Sequence, residues 1–399
     1  MSGGTAPEDG RFAVDRGDPG PLERLPVAPR TVGLLATWLV LAAAGLWEEL
    51  VTTEGVVPFW GFATGIIEYL YYASLAVVAW YLVVPLARRP DLRRRYWRRL
   101  RRKPLALASA AYLLLLWYAA TFGTWTLSVL GIESTDNIRY GVPAAQPPAW
   151  TAVEMSPTIP YCLASREGDM CPGTWTFPLG TTVDGNGMVH LMVEGARVAV
   201  QVSLVTAALV VPFAVVVGTV AAYYGGRVDA LLMRYVDLQR VVPAVFVVLL
   251  VQESFNRSLV TIVVVFGLFD WDGTARLVRS AAASHVDAGY VRAARDAGMS
   301  DLAIVRTHVV PNVGDTVVAA VADRMPTLVL VEAGIAYLGF TNPLAQSWGS
   351  TIAIGFSRFP ELWWTVLFAA VPLVLTVAAM SVLGDALRDV LDPRAEVSA

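Results

Sequence analysis

Long apolar runs separated by short polar breaks make up most of the chain, and their lengths predict helices that cross a bilayer. A crossing needs about 17–25 predominantly apolar residues to match a hydrocarbon core of about 30 Å. About eight stretches approach that length, near 31–51, 66–87, 105–131, 198–223, 236–252, 258–270, 316–338 and 363–384. The sixth, SLVTIVVVFGLFD, is short, so it must tilt little, borrow flanking residues or thin the bilayer. The predicted fold class is all-α, a polytopic membrane protein. Composition agrees: 56% of the residues are hydrophobic and 16% charged, which is too apolar for an ordinary soluble domain.

Orientation follows from one charge run, Arg88 to Lys103, between the second and third apolar stretches. The positive-inside rule keeps it in the cytoplasm of a multi-pass cell-membrane protein. Alternation then puts both termini and the 271–315 loop inside and the 132–195 loop outside. The run reads as a topology anchor on anionic membrane lipid rather than as a nucleic-acid site. A net charge of −3 argues against a nucleic-acid partner. Residues 1–30, rich in Pro, Gly, Asp and Glu and without a signal-peptide pattern, read as a disordered cytoplasmic tail, and 395–399 as a short second tail. The first apolar stretch then serves as an uncleaved signal anchor.

The most informative polar segment is Tyr290 to Asn312, YVRAARDAGMSDLAIVRTHVVPN, a predicted helix-turn-helix set between apolar runs. A helix through Tyr290, Val291 and Ala294 should stop at Gly298, which takes the left-handed conformation at no steric cost. A second helix should begin with Ser300 as a side-chain cap and Asp301 at the positive dipole end, and should stop at Pro311. A polar hairpin between apolar stretches is a place for a soluble protein to dock.

Other chemistry is sparse. The sole lysine, Lys103, precedes Pro104, so no phosphate-binding loop of the usual kind is present, and no catalytic residues are assigned. His190, His285 and His308 lie far apart, and two cysteines cannot build a four-ligand zinc site, so no metal site is assigned. Cys162 and Cys171 both fall in the loop placed outside, where a short disulfide can persist and would staple a segment containing Pro157, Pro160 and Pro172. Pro212, Pro243, Pro326 and Pro372 are expected to interrupt apolar helices and let them pivot. Asp323, Arg324 and Glu332 lie within an apolar stretch, where each charge costs about 2.5–3.5 kcal/mol at a helix centre. They should face protein or water, lining a pathway or a subunit seam. Asp323 and Arg324 point about 100° apart on a helix, so each should find its partner on another helix. Glu48, Glu49 and Glu68 sit near the ends of apolar stretches, where charge is cheap.

The hairpin resembles the EAA loop of ABC-importer permeases, with Ala293, Ala294, Gly298 and Pro311 at the pattern's positions and Arg292 where the pattern name has Glu. His308 through Asn312 is similar to the "HILPN" ending of the dipeptide/oligopeptide branch. The resemblance runs from about Pro104 to Arg394. Phe177 to Thr181 with Gly185 resembles "HPLGTDxxGRD", departing at Thr182, Val183, Asn186 and Gly187. Tyr223 to Gly226 with Asp229, Met233, Arg234, Asp237 and Pro243 resembles "YYGGxxDxxLMRxxDxxxxxP". Trp271 with Ala275, Arg276, Val278 and Arg279 resembles "WxxxARxVR". Glu332 through Gly339 with Trp348 and Gly349 resembles "AEAxLSFLGLGxxPPxPxWG", departing at Phe340, Thr341, Leu344 and Gln346, and Gly384 to Arg394 resembles the family ending.

The resemblance implies a transmembrane domain over 104–394, preceded by two extra helices and a basic linker over 31–103. It implies a second permease of the same type, two ABC ATPase subunits carrying ATP and Mg, an external solute-binding protein, and a peptide-like solute moved by alternating access. Nickel chelates or sugars are alternative cargo within the same branch. An ion-coupled secondary transporter using Asp323 or Glu332 is the alternative from another class.

Overall fold

The computed structural model describes residues 29–51, 65–132, 144–159, 161–165, 168–255, 257–342 and 346–391. Most of the 1–30 segment, the 395–399 tail, Pro160, Leu344, Asp392, Pro393 and Arg394 lie outside the described residues, as do the side chains of Glu48 and Glu49.

The described residues are mostly helical. Helix α1 (Pro29–Val51) and α2 (Ile66–Val78) come first; α2 runs on through a wider turn and α3 (Val84–Arg88) as one 23-residue rod. The arginine-rich α4 (Pro90–Arg101) links it to α5 (Pro104–Val129). After the long connection that follows α5 come α6 (Met188–Tyr224), α7 (Gly226–Val241), α8 (Ala244–Ser254), α9 (Leu259–Phe269) and α10 (Asp272–Val286). Helices α11 (Gly289–Asp296) and α12 (Asp301–Ile304) form the polar hairpin, followed by α13 (Gly314–Tyr337), α14 (Trp348–Phe356) and α15 (Trp363–Leu391).

Among the described residues, four helical rods are long and apolar enough to cross a bilayer, or five crossings if the bent pair α7–α8 counts as one. That is fewer than the eight apolar stretches read from the sequence. Helix α9 has 11 residues, about 16 Å at 1.5 Å per residue, half a hydrocarbon core. Helix α13 is long enough but carries Asp323, Arg324 and Glu332. The fifth stretch is broken rather than continuous: α7 and α8 meet at 62°. The cause is Pro243, which lacks a donor and holds Val242 extended at φ −96°, ψ 107°. The expectation that Pro212, Pro326 and Pro372 also interrupt their helices is not met, since each sits inside an unbroken helix. Packed neighbours can accommodate the freed carbonyl in a membrane helix, so such prolines need not end it.

Helix α6 is the organising element. Its 37 residues begin ten positions earlier than hydropathy alone predicts, because Met188–Arg197 carries His190, Glu194 and Arg197 yet remains helical. The main core, with Val202, Ile262, Val263 and Val329 fully buried, joins α6 to α5, α9, α13, α14 and α15. Tyr71 of α2 is also buried there, its hydroxyl 2.9 Å from that of Thr121 on α5. Glu68 of α2 takes an ion pair from Arg197 at 3.2 Å, so the glutamate read as a cheap end-of-helix charge is a docking group.

The described residues between α5 and α6 have their own small core. Strands β1 (Ala152–Glu154) and β2 (Met170–Pro172) pair antiparallel, with Val153 opposite Cys171. Cys162 and Cys171 are joined in a disulfide, with Cα atoms 5.5 Å apart. Ala145 and Ile159 bury against Met188, Leu191, Leu362 and Trp364, and the Trp364 indole donates to the Thr181 carbonyl at 3.0 Å.

Candidate coupling hairpin

The hairpin is built on a one-sided apolar stripe. Val291 of α11 and Ile304 of α12 are fully buried, with Ala294 packed beside them, against Tyr223 of α6, Val278 and Ala282 of α10 and Val317 of α13. The hairpin is therefore seated on three long helices at once. Helix α10 itself lies close against α6 because Gly218 has no side chain: a Cβ there would come within 2.7 Å of the Ala275 carbonyl.

Gly298 makes the turn, with φ +79°. Two bonds close the end of α11: Gly298 N–H to the Arg295 carbonyl at 3.0 Å, and Met299 N–H to the Ala294 carbonyl at 3.1 Å. This is the paired-bond helix ending that a left-handed residue permits. Ser300 takes the capping position of α12, but its side chain makes no capping bond, contrary to expectation. The turn is exposed, so water can serve the end groups instead. Asp301 accepts a hydrogen bond from the Tyr223 hydroxyl at 2.6 Å, and the Arg295 guanidinium lies over the Tyr223 ring, 5.3 Å from its centre.

The second helix is shorter than predicted. Regular α structure ends at Ile304, continues as a wide turn over Val305–Val309 and a tight one over Val310–Val313, and passes straight into α13. Pro311 is the cause: it has no N–H for the Thr307 carbonyl and its ring crowds that carbonyl, so the preceding turn widens. Pro311 redirects the chain rather than stopping it. Tyr290 bonds His285 Nδ1 at 3.0 Å, its ring lies 6.1 Å from that of His308, and Asn312 donates to the His308 carbonyl at 2.6 Å. Arg292 and Ala293 are exposed on the outer side, with Tyr290, Met299 and above all Leu302, which is 77% exposed. Leu302 is thus an apolar side chain left open at the tip of a polar hairpin.

The charges of α13 do not join this site. Arg324 reaches Asp270 at 3.6 Å and Asp272 at 3.8 Å, and Asp323 meets Arg388 of α15 at 3.5 Å. Each partner thus comes from another element, and Asp323 is itself largely exposed. Glu332 is buried, and its Oε1 has no hydrogen-bond partner among the described residues. Sequence reasoning missed Tyr223, Arg295 and Leu302 as hairpin residues. The first two were hidden because their contacts depend on a fold that brings α6 to a turn 78 residues away.

Comparison with known proteins places this geometry in context. Residues 214–397 match the model of the binding-protein-dependent transport system inner membrane component, and residues 92–148 match the N-terminal TM domain of oligopeptide transport permease C. The oligopeptide transport system permease protein OppC of Mycobacterium tuberculosis is 31% identical over 249 residues, covering 61% of this chain and 85% of the relative. That of Escherichia coli is 31% identical over 235 residues, covering 59% and 77%. Haemophilus influenzae OppC is 30% identical over 216 residues, covering 54% and 70%. Among solved structures, an amino acid ABC transporter crystallised with histidines is 19% identical, covers 49% of this chain and 91% of its own, and superposes with a TM-score of 0.36.

Proposed function

The chain belongs to the family of binding-protein-dependent transport system inner membrane components, and on that premise we propose that it is a permease subunit importing peptides by alternating access. Peptide cargo is supported by the oligopeptide transport system permeases that resemble it over 70% or more of their length. The observation that carries the mechanism is the hairpin: buried on one side against α6, α10 and α13, and open at Leu302 on the other. ATP, with Mg, is bound and hydrolysed by two separate ATPase subunits. One of them receives the hairpin in a cleft. A second permease completes the pathway, and a solute-binding protein delivers cargo to the external face. The chain lies in the cell membrane with both termini in the cytoplasm and contributes no ATPase site of its own.

The pairing of Asp323, one of the two carboxylates an ion-coupled transporter would use, supports this reading over ion coupling; Glu332 is not paired in this way among the described residues. Asp323 is paired with Arg388, and Asp270 and Asp272 with Arg324, so these carboxylates serve as helix contacts. The test is purification of the complex from its native membrane, with uptake of a labelled oligopeptide. ATPase should co-purify with the unmodified chain and be lost with Leu302→Asp, which costs the permease little stability because that side chain is exposed. Vanadate should stop uptake. Uptake that survives vanadate and stops with an ionophore would overturn the proposal.

A further inference from the structure

Helix α10, the root of the hairpin, carries Asp272, Arg276 and Arg279 at i, i+4 and i+7, a spacing that lines three side chains along one stripe. Each faces an opposite charge on α7. Arg279 grips both carboxylate oxygens of Asp229, Arg276 donates to Asp237, and Asp272 lies 3.5 Å from Arg240. The order is reversed between the helices, as antiparallel neighbours require. Apolar contacts reinforce the rungs. Trp271 is buried beside Val236 and Ala275, with its ring 6.0 Å from that of Tyr235 on α7 and stacked on Phe213 of α6 at 6.1 Å. Gln239 of α7 donates to the Leu268 carbonyl at 2.6 Å.

One exposed ion pair fixes little. Three along one pair of helices, one of them two-pronged, over a buried ring, restrain the two helices together. The join between α7 and α8 is of the opposite kind: a 62° bend at an extended Val242 and a donorless Pro243. Arg276 and Asp237 lie 39 residues apart in the chain and Arg279 and Asp229 50 apart, and the contact explains why the two segments carry these charges.

We propose that α7 and α10 form one rigid lever, locked by this ion ladder, and that the ladder delivers displacement of the hairpin to the bend at Pro243. The inference rests on the coupling role proposed above for the hairpin. Asp229, Asp237, Arg240, Asp272, Arg276 and Arg279 are positioning residues in this scheme, since they act through the helices they join. Arg324 ties the base of the lever to α13 through Asp270 and Asp272. During a transport cycle the distance between α7 and α10 stays constant while the angle between α7 and α8 changes.

Spin labels test this in the full complex with its ATPases. Leu231, Leu250 and Leu277 are exposed positions on α7, α8 and α10. Labels at Leu231→Cys with Leu277→Cys should report one distance in both the ATP-free and the vanadate-trapped states. Labels at Leu231→Cys with Leu250→Cys should report a shift. Separation of the first pair, or a fixed distance in the second, overturns the lever. In parallel, Arg279→Asp should lower uptake about tenfold with ATPase still bound, and adding Asp229→Arg should restore most of it, as expected for a direct pair. An exchange no better than the single variant also overturns the lever. Failure of the coupling role itself has a different signature, absence of co-purifying ATPase or full uptake by Leu302→Asp, and the lever then falls with it.

Discussion

Gly298 closes α11 at φ +79°, and a Cβ built there would meet no atom within 4 Å. The penalty of a substitution is therefore conformational, with no collision to relieve by repacking. An L residue in the left-handed helical region costs about 1–2 kcal/mol, and a β-branched one more, because its second γ atom crowds the backbone further. A cost of that size lowers the population of the native turn roughly 5–30-fold relative to any alternative of fixed energy. Both end bonds of α11 depend on the turn, and so does the placement of Asp301 against Tyr223. If residue 298 retreats to the right-handed region, Leu302 leaves the position from which it can enter a partner. Asn tolerates the left-handed region better than other side chains and supplies a control of similar size. The assay is labelled-oligopeptide uptake by membrane vesicles holding the complete transporter, normalised to permease content and accompanied by quantitation of co-purifying ATPase. Uptake should fall in the order Gly, Asn, Ala, Val, with membrane insertion unchanged throughout. Full uptake by Gly298→Val, or an Asn variant as poor as Val, would refute the reasoning.

Three further outcomes are expected. Glu68→Gln leaves Arg197 without its counterion and should destabilise the detergent-solubilised permease by about 1–3 kcal/mol, below the roughly 3–5 kcal/mol of a fully buried pair because both groups are partly exposed; thermal unfolding measures this, and Glu68→Arg with Arg197→Glu should recover most of it. Cys162 and Cys171 should resist alkylation until a reductant is added, and replacing both with Ser should cost the external segment about 2–3 kcal/mol, read as faster proteolysis there. Tyr223→Phe removes the donor to Asp301, which water can replace, so the cost should stay near 1 kcal/mol and appear as increased protease cutting between Asp296 and Asp301. An unchanged cutting rate would show that the bond does not hold the turn.

What the sequence made legible was whatever depends on neighbours along the chain. Gly298 announces a helix end because only backbone freedom is at stake, and the apolar runs of α5, α6 and α15 announce themselves by length. The break at Pro243 was half visible: the proline was identified, but the three other prolines looked the same and do not break their helices. What decides between them is whether packed neighbours accommodate the freed carbonyl, and that is a tertiary property. The four-residue length of α12 was hidden for a related reason, since Pro311 acts on the turn before it. Of the paired charges, Asp229, Asp237, Arg276 and Arg279 stand out in the sequence only as matches to a family pattern, and Arg240 and Asp272 do not stand out at all. Their pairing could not be read, because no local rule relates Asp229 to a residue fifty positions away.

The pairing of Glu68 with Arg197 bears on how the protein is made. Membrane helices enter the bilayer in the order of synthesis, and α2 precedes α6 by more than a hundred residues. The acidic partner is thus made first, and its 3.2 Å pair with Arg197 is available to neutralise the cation of α6. The family match begins at residue 92, after α2 has ended. A chain trimmed to the matched portion would ask the biosynthetic machinery to insert α6 with a bare guanidinium. If this pairing helps α6 to insert, expression of the matched portion alone should yield less inserted protein than the full chain.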